Sequence, residues 1–140
     1  MPHYDYFSEA AIRDEFASYL EINGISNKKS KQKYNYINVR TEFFYIDILA
    51  QTEKGSYDVF EIKKSVNSVS KAVGQVLEYC YWLEGYLLKT FGDFCYRPII
   101  AALGELNNSQ EQILEANGIA YYNIANYLPR FNRGVPFASL

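Results

Sequence analysis

Histidine is almost missing from this chain. Of 140 residues only His3 is one, and it stands where chains usually fray. Ser-His-Asp triads, Cys-His pairs and two-His metal sites are therefore not expected. Cysteine is scarce too. Cys80 and Cys95 are the only two, and a chain of this size needs no disulfide scaffold, so both are expected as reduced thiols. There is no long apolar run: residues 76–88, the most apolar stretch, carry Glu78 and Glu84 and are too short to span a bilayer. Residues 1–6 have neither a basic region nor an apolar run, so no secretory leader is read there. A cytoplasmic protein without a membrane partner is the expectation. Positive charge is not in excess either. With 14 Lys+Arg against 16 Asp+Glu the net charge is -2, which excludes a protein that coats nucleic acid by bulk charge alone. Repeats, low-complexity tracts and domain-dividing linkers are absent.

What is present is a folding sequence. Hydrophobic residues make up 49% and aromatic residues 17%, far from a disordered composition. The length suits a single domain over residues 1–140, with a core at about 8–124 and a tail at 125–140. That tail lacks periodicity and either serves a partner or packs down. Catalysis, if any, falls to carboxylates, Lys, Tyr or a bound metal.

The elements alternate. Residues 7–23 carry a helical apolar stripe (Phe7, Ala11, Ile12, Phe16, Tyr19, Leu20) that stops at Asn23-Gly24. Residues 34–40, 42–50 and 57–63 read as strands, the last two joined by a turn at Glu53-Lys54-Gly55. Asn67 or Ser68 is expected to cap a helix running to about residue 89. A strand at 97–103 follows, then a helix opened by the capping box Ser109-x-x-Gln112 and closed at Asn117-Gly118, then a strand at 119–124. Strands reached through helices imply parallel pairing, whereas the tight turn implies an antiparallel hairpin. The fold class is α/β, with a mixed central β-sheet flanked by helices on both faces.

The hairpin is the most informative stretch. Both of its strands are apolar on both faces, as central strands are, apart from Asp47, Glu61 and Lys63. If Glu53-Lys54-Gly55 is a three-residue loop, Asp47 lies directly opposite Glu61 on the same face, their Cβ atoms about 5 Å apart. Two carboxylates that close need a cation or a shared proton. Lys63 is on the same face, about 7 Å further along the strand. A hard divalent ion such as Mg²⁺ suits such an array, since it takes oxygen ligands from one or two carboxylates, phosphate and water. Lys63 then orients water or neutralises charge on a phosphate. The competing reading is three solvated strand-end charges joined by a surface salt bridge, and spacing alone does not separate the two.

Asp47, then Glu61-Ile62-Lys63 fourteen residues on, then Gln75-x-x-x-Tyr79 on the next helix, resembles the PD-(D/E)XK nuclease superfamily. More closely it resembles the branch with a Gln-x-x-x-Tyr motif, as in RecB-like nuclease domains. The order of elements around the motif is similar too, over roughly residues 8–124. The resemblance implies a restriction-endonuclease-like core and a Mg²⁺-dependent nuclease in which Mn²⁺ substitutes for Mg²⁺. Asp47 and Glu61 become metal ligands, the backbone carbonyl of Ile62 a further ligand, and Lys63 the catalytic lysine. Gln75 contacts the site or the nucleic-acid backbone, and Tyr79 supports it and is counted with Gln75 among the nucleic-acid contacts. An acid on the first helix often joins the site; Glu9 is the choice here and Glu15 the second candidate. The family's named proline is absent, Ile46 standing before Asp47.

The local basic cluster, Lys28, Lys29, Lys31 and Lys33, reads either as a phosphate-contacting loop or as an ordinary solvated one. The implied partner is nucleic acid, with DNA preferred, and a homodimer or a protein partner would supply affinity that the acidic chain lacks. A nuclease-fold module that works only by binding is the alternative function.

Overall fold

A strand that is apolar on both faces has to be covered on both sides. The computed structural model of this chain describes residues 8–23, 34–40, 45–53, 56–90 and 95–132, and it covers the hairpin in this way. Helix α1 is Glu9–Asn23; strands β1, β2 and β3 are Tyr34–Arg40, Tyr45–Glu53 and Ser56–Ile62. Helix α2, Val69–Thr90, leads to β4, Cys95–Ala102; α3, Asn108–Ala116, leads to β5, Ala120–Asn123; a short α4, Pro129–Asn132, follows. The five strands lie in the order β1-β2-β3-β4-β5. The pairs β1/β2 and β2/β3 are antiparallel, and β3/β4 and β4/β5 are parallel. The mixed sheet with helices on both faces is the expected architecture, and β3 is its centre.

Side-chain parity assigns the two cores. On one face Ile12, Phe16 and Leu20 of α1 pack on Ile48, Phe60, Ile62 and Ile99. Phe16 meets Phe60 edge-on at 5.9 Å, a contact worth about 0.5–1.5 kcal/mol beyond the area it buries. On the other face Val69, Ala72, Val76, Cys80 and Leu83 of α2, with Leu114 of α3, pack on Leu49, Val59, Ile100 and Ala102. Glu61 shares the parity of Val59, which puts its side chain on the α2 face.

Three expected details differ. The helix after β3 is entered through a 3-10 turn, Val66–Ser68, capped by Ser65, whose hydroxyl accepts the Asn67 N–H; winding therefore starts before Asn67 and Ser68, which lie within that turn. The capping box of α3 is Asn107 with Gln110, not Ser109 with Gln112. Gln110 also donates to the Val66 carbonyl at 2.9 Å, a bond that holds this frame. Packing also continues past residue 124, because Phe131 of α4 is buried in the α1-side core and Arg130 pairs with Glu15 at 2.7 Å. Residues 133–140 lie outside the described residues.

Candidate active site

Strands β3, β4 and β5 run parallel, so their carboxyl ends share one edge of the sheet, the place where open α/β sheets bind ligands. Glu61, Ile62 and Lys63 are at that edge. The Lys63 N–H donates to the Ala101 carbonyl at 2.9 Å, which continues the ladder just past the end of β3. In the hairpin Ile48 pairs with Phe60 and Leu49 with Val59, a register that sets Asp47 opposite Glu61 as expected. The strands run further towards their turn than expected, β2 to Glu53 and β3 from Ser56, and a register shift between Gln51 and Glu53 absorbs the difference. Lys54 and Gly55 lie outside the described residues.

Four side chains converge. Asp47 accepts the Ile62 N–H through Oδ2 at 2.8 Å. Glu61, only 3% exposed, accepts the Tyr79 hydroxyl through Oε1 at 2.7 Å, and its Oε2 is 3.1 Å from Lys63 Nζ. Asp47 stands opposite Glu61 across the hairpin, close enough for the two carboxyls to act on each other. Burial pushes the Glu61 carboxyl up, and Asp47 pushes it further, to about 8; Tyr79 and Lys63 pull the other way. Without a cation this setting favours the protonated form of Glu61. Tyr79 is displaced upwards as well, by burial and by the two carboxylates beside it. These are not solvated strand-end charges: the Lys63 side chain is 16% exposed and Glu61 is buried.

Comparison with known proteins adds little to this. No family model matches the chain, and no curated protein does. Among solved structures it is similar to the crystal structure of a repair endonuclease from Pyrococcus abyssi, with 21% identity and a TM-score of 0.42. That match covers 63% of this chain and 36% of the other, so it extends over about a third of that protein's length.

The remaining candidates are placed differently. Gln75 is exposed, one helical turn before Tyr79 on the same side of α2. Tyr79, expected among nucleic-acid contacts, is 6% exposed and commits its hydroxyl to Glu61, so it supports the site from within. Glu9 is exposed in the first turn of α1, the helix that packs on the opposite face of the sheet. Glu15 is held by Arg130. Among the described residues no group of three or more His, Cys, Asp or Glu side chains gathers, so neither glutamate completes the pair here. Lys28, Lys29, Lys31 and Lys33 lie outside the described residues.

The sequence reading passed over a second buried carboxylate. Asp58 of β3, 5% exposed, receives Arg97 Nε on Oδ1 at 3.3 Å and Nη2 on Oδ2 at 3.2 Å. It lies on the α1 face, away from Asp47 and Glu61, with Arg97 over the Tyr122 ring. Its signal was an acid alternating with Phe60 and Ile62, and its partner follows from the parallel register that pairs Asp58 with Arg97. Asn123 was also missed. Buried at the end of β5, it accepts the Gly104 and Ala125 N–H groups and donates to Glu105, tying down the loop after β4. Cys80 is buried, which pushes its thiol up to about 12, and Cys95 is exposed; neither is paired. No helix among the described residues is long and apolar enough to cross a membrane.

Proposed function

We propose that Asp47, Glu61 and Lys63 form the active site of a divalent-metal-dependent nuclease that hydrolyses phosphodiester bonds, with DNA as its substrate. The observation that carries this reading is a pair of carboxylates set opposite each other on one sheet face, one of them buried, with a lysine at its side and at the carboxyl edge of a parallel strand set. Like charges so close are stable only with a shared proton or a cation. An all-oxygen donor set of this kind fits Mg²⁺ or Mn²⁺ rather than a soft metal. Asp47 and Glu61 would hold the ion, with the Ile62 carbonyl as a further donor. When bound, the ion supplies a Lewis acid and a water of lowered pKa.

The chain's own groups then divide the work. The Ile62 N–H fixes Asp47, and Tyr79 fixes Glu61 through Oε1, so both carboxylates are oriented before the substrate arrives. Lys63, held next to Glu61 Oε2, is placed to neutralise charge that grows on the phosphate. Burial of the cluster strengthens each of these interactions. The test is cleavage of labelled single-stranded, duplex, branched and RNA substrates with Mg²⁺ or Mn²⁺, comparing the parent with Glu61→Ala. Cleavage by the parent that is lost in the variant supports the assignment; equal cleavage by both refutes it.

A further inference from the structure

The chain leaves β3 at Lys63 and enters α2 at Val69, so residues 63–69 join the strand that carries Glu61 to the helix that carries Tyr79. Connections of this kind are usually the more mobile parts of a fold. This one is tied along its length. The Lys63 N–H donates to the Ala101 carbonyl at 2.9 Å, and the Val66 N–H donates to the Leu103 carbonyl at 3.0 Å. The Val66 carbonyl accepts the Val69 N–H and, at 2.9 Å, Nε2 of Gln110 on α3. Gly104 comes so close to Val66 that a Cβ on it would stand 3.0 Å from a Val66 methyl. Gly104 is itself held, its N–H by Asn123 at 3.1 Å and its carbonyl by the Tyr121 hydroxyl at 2.6 Å.

Gln110 uses both ends of one amide. Its Oε1 accepts the Asn107 N–H at 3.0 Å, closing the capping box, and its Nε2 is given to Val66. A carbonyl accepts and an N–H donates, so only this orientation of the amide satisfies both partners. The cap of α3 needs the first bond and not the second. Glu in place of Gln would close the box equally well, yet a carboxylate has no donor for Val66. The second bond therefore serves the connection, at a point three residues after Lys63. Lys63 is the last rung of the β3/β4 ladder, and its Nζ stands 3.1 Å from Glu61 Oε2. A shift of the chain just after it moves the ammonium against the buried carboxylate.

We propose that Gln110 is a positioning residue, which through the Val66 carbonyl fixes the chain after Lys63 and so the placing of the Lys63 ammonium at the reacting phosphate. This rests on the nuclease reading and adds to it a residue of α3. A misplacement of about 1 Å in such a group costs a factor of about 100 in rate. The experiment compares the parent with Gln110→Glu, Asn107→Ala and Asn107→Asp. Gln110→Glu keeps the capping box and removes the donor to Val66, whose carbonyl retains the Val69 N–H. Asn107→Ala weakens the cap and keeps that donor, and Asn107→Asp keeps both while adding the same charge. Each is measured for kcat and KM on the labelled substrate that the parent cuts, for its urea midpoint, and for hydrogen exchange at the Lys63 amide. Gln110→Glu should lose about ten- to a hundredfold in kcat at unchanged KM and exchange Lys63 faster, with a midpoint close to the parent's. Asn107→Ala should lower the midpoint and leave kcat in place, and Asn107→Asp should change neither. Parent-like kcat or parent-like Lys63 exchange in Gln110→Glu overturns the proposal, as does an equal loss of kcat in either variant of Asn107. In those cases a parent that cuts leaves the nuclease reading standing. A parent that cuts none of the substrates refutes that reading instead, and Lys63 exchange then decides the Gln110 contact alone, faster exchange upholding it and unchanged exchange overturning it.

Discussion

Replacing Glu61 by Gln tests the proton that the metal-free site favours on Glu61. In the metal-free protein the Glu61 carboxyl, normally near 4.5, is raised to about 8. A group raised on folding stabilises the native state fully below its unfolded pKa, and that stability is lost as pH climbs through the folded value. Between those two values the native state keeps a proton that the unfolded chain has released, which costs about 1.4 kcal/mol per pH unit. Taken from about pH 5 to about pH 9, wild-type stability should therefore fall by up to about 4 kcal/mol through this group. A Gln side chain keeps a carbonyl for the Tyr79 hydroxyl and offers Asp47 an N–H in place of the proton, but it cannot titrate. The loss of the Lys63 ion pair makes 4 kcal/mol a ceiling. Urea unfolding in EDTA, followed by the fluorescence of Trp82, the one tryptophan, should show the variant gaining on the parent as pH rises. If the gap between them is the same at both ends of that range, no proton is shared and the reading of the pair is wrong.

Other outcomes follow from single contacts. Tyr79→Phe leaves a buried Glu61 oxygen without its donor and should cost about 1–3 kcal/mol in urea unfolding; it should also weaken Mn²⁺ binding, and unchanged values of both would deny Tyr79 its positioning role. Arg97→Ala strands the buried Asp58 carboxylate, but Arg97 is 47% exposed and solvent screens the pair; the expected cost is about 1–3 kcal/mol, below that of a fully buried pair. Adding Asp58→Asn to Arg97→Ala should recover part of it. Gly104→Ala meets φ +118 and a Val66 methyl 3.0 Å from the new Cβ, so a loss of about 1–3 kcal/mol is expected from the urea midpoint.

The hairpin shows what can be read from residues alone. Apolar alternation on both faces of β2 and β3 identified central strands, and a short turn was enough to set Asp47 opposite Glu61, because register propagates two residues at a time. The turn itself was less well placed, since a register shift near Gln51 lets strands of different length reach the same pairing at the site. Helix starts slipped where two frames both fitted: Asn107-x-x-Gln110 and Ser109-x-x-Gln112 are equally good boxes locally, and the bond from Gln110 to Val66, forty-four residues away in sequence, favours the first. The same limit hid the Asp58–Arg97 pair, whose members meet only through β3/β4 pairing. The place of Glu9 depends on which face of the sheet α1 covers, and a helical stripe does not specify that.

The central claim is that Asp47 and Glu61 form a cation site. Calorimetric titration of Mn²⁺ into the metal-free protein near neutral pH tests it directly, in two buffers of different ionisation enthalpy, for the parent, Asp47→Asn and Glu61→Gln. The parent should bind Mn²⁺ and release up to about one proton per ion, the proton favoured on Glu61 without metal. Both variants should bind far more weakly, and Glu61→Gln should release no proton. Binding by the variants as tight as by the parent, or no binding by the parent, contradicts the account, and the second result would favour a module of this fold that acts by binding alone.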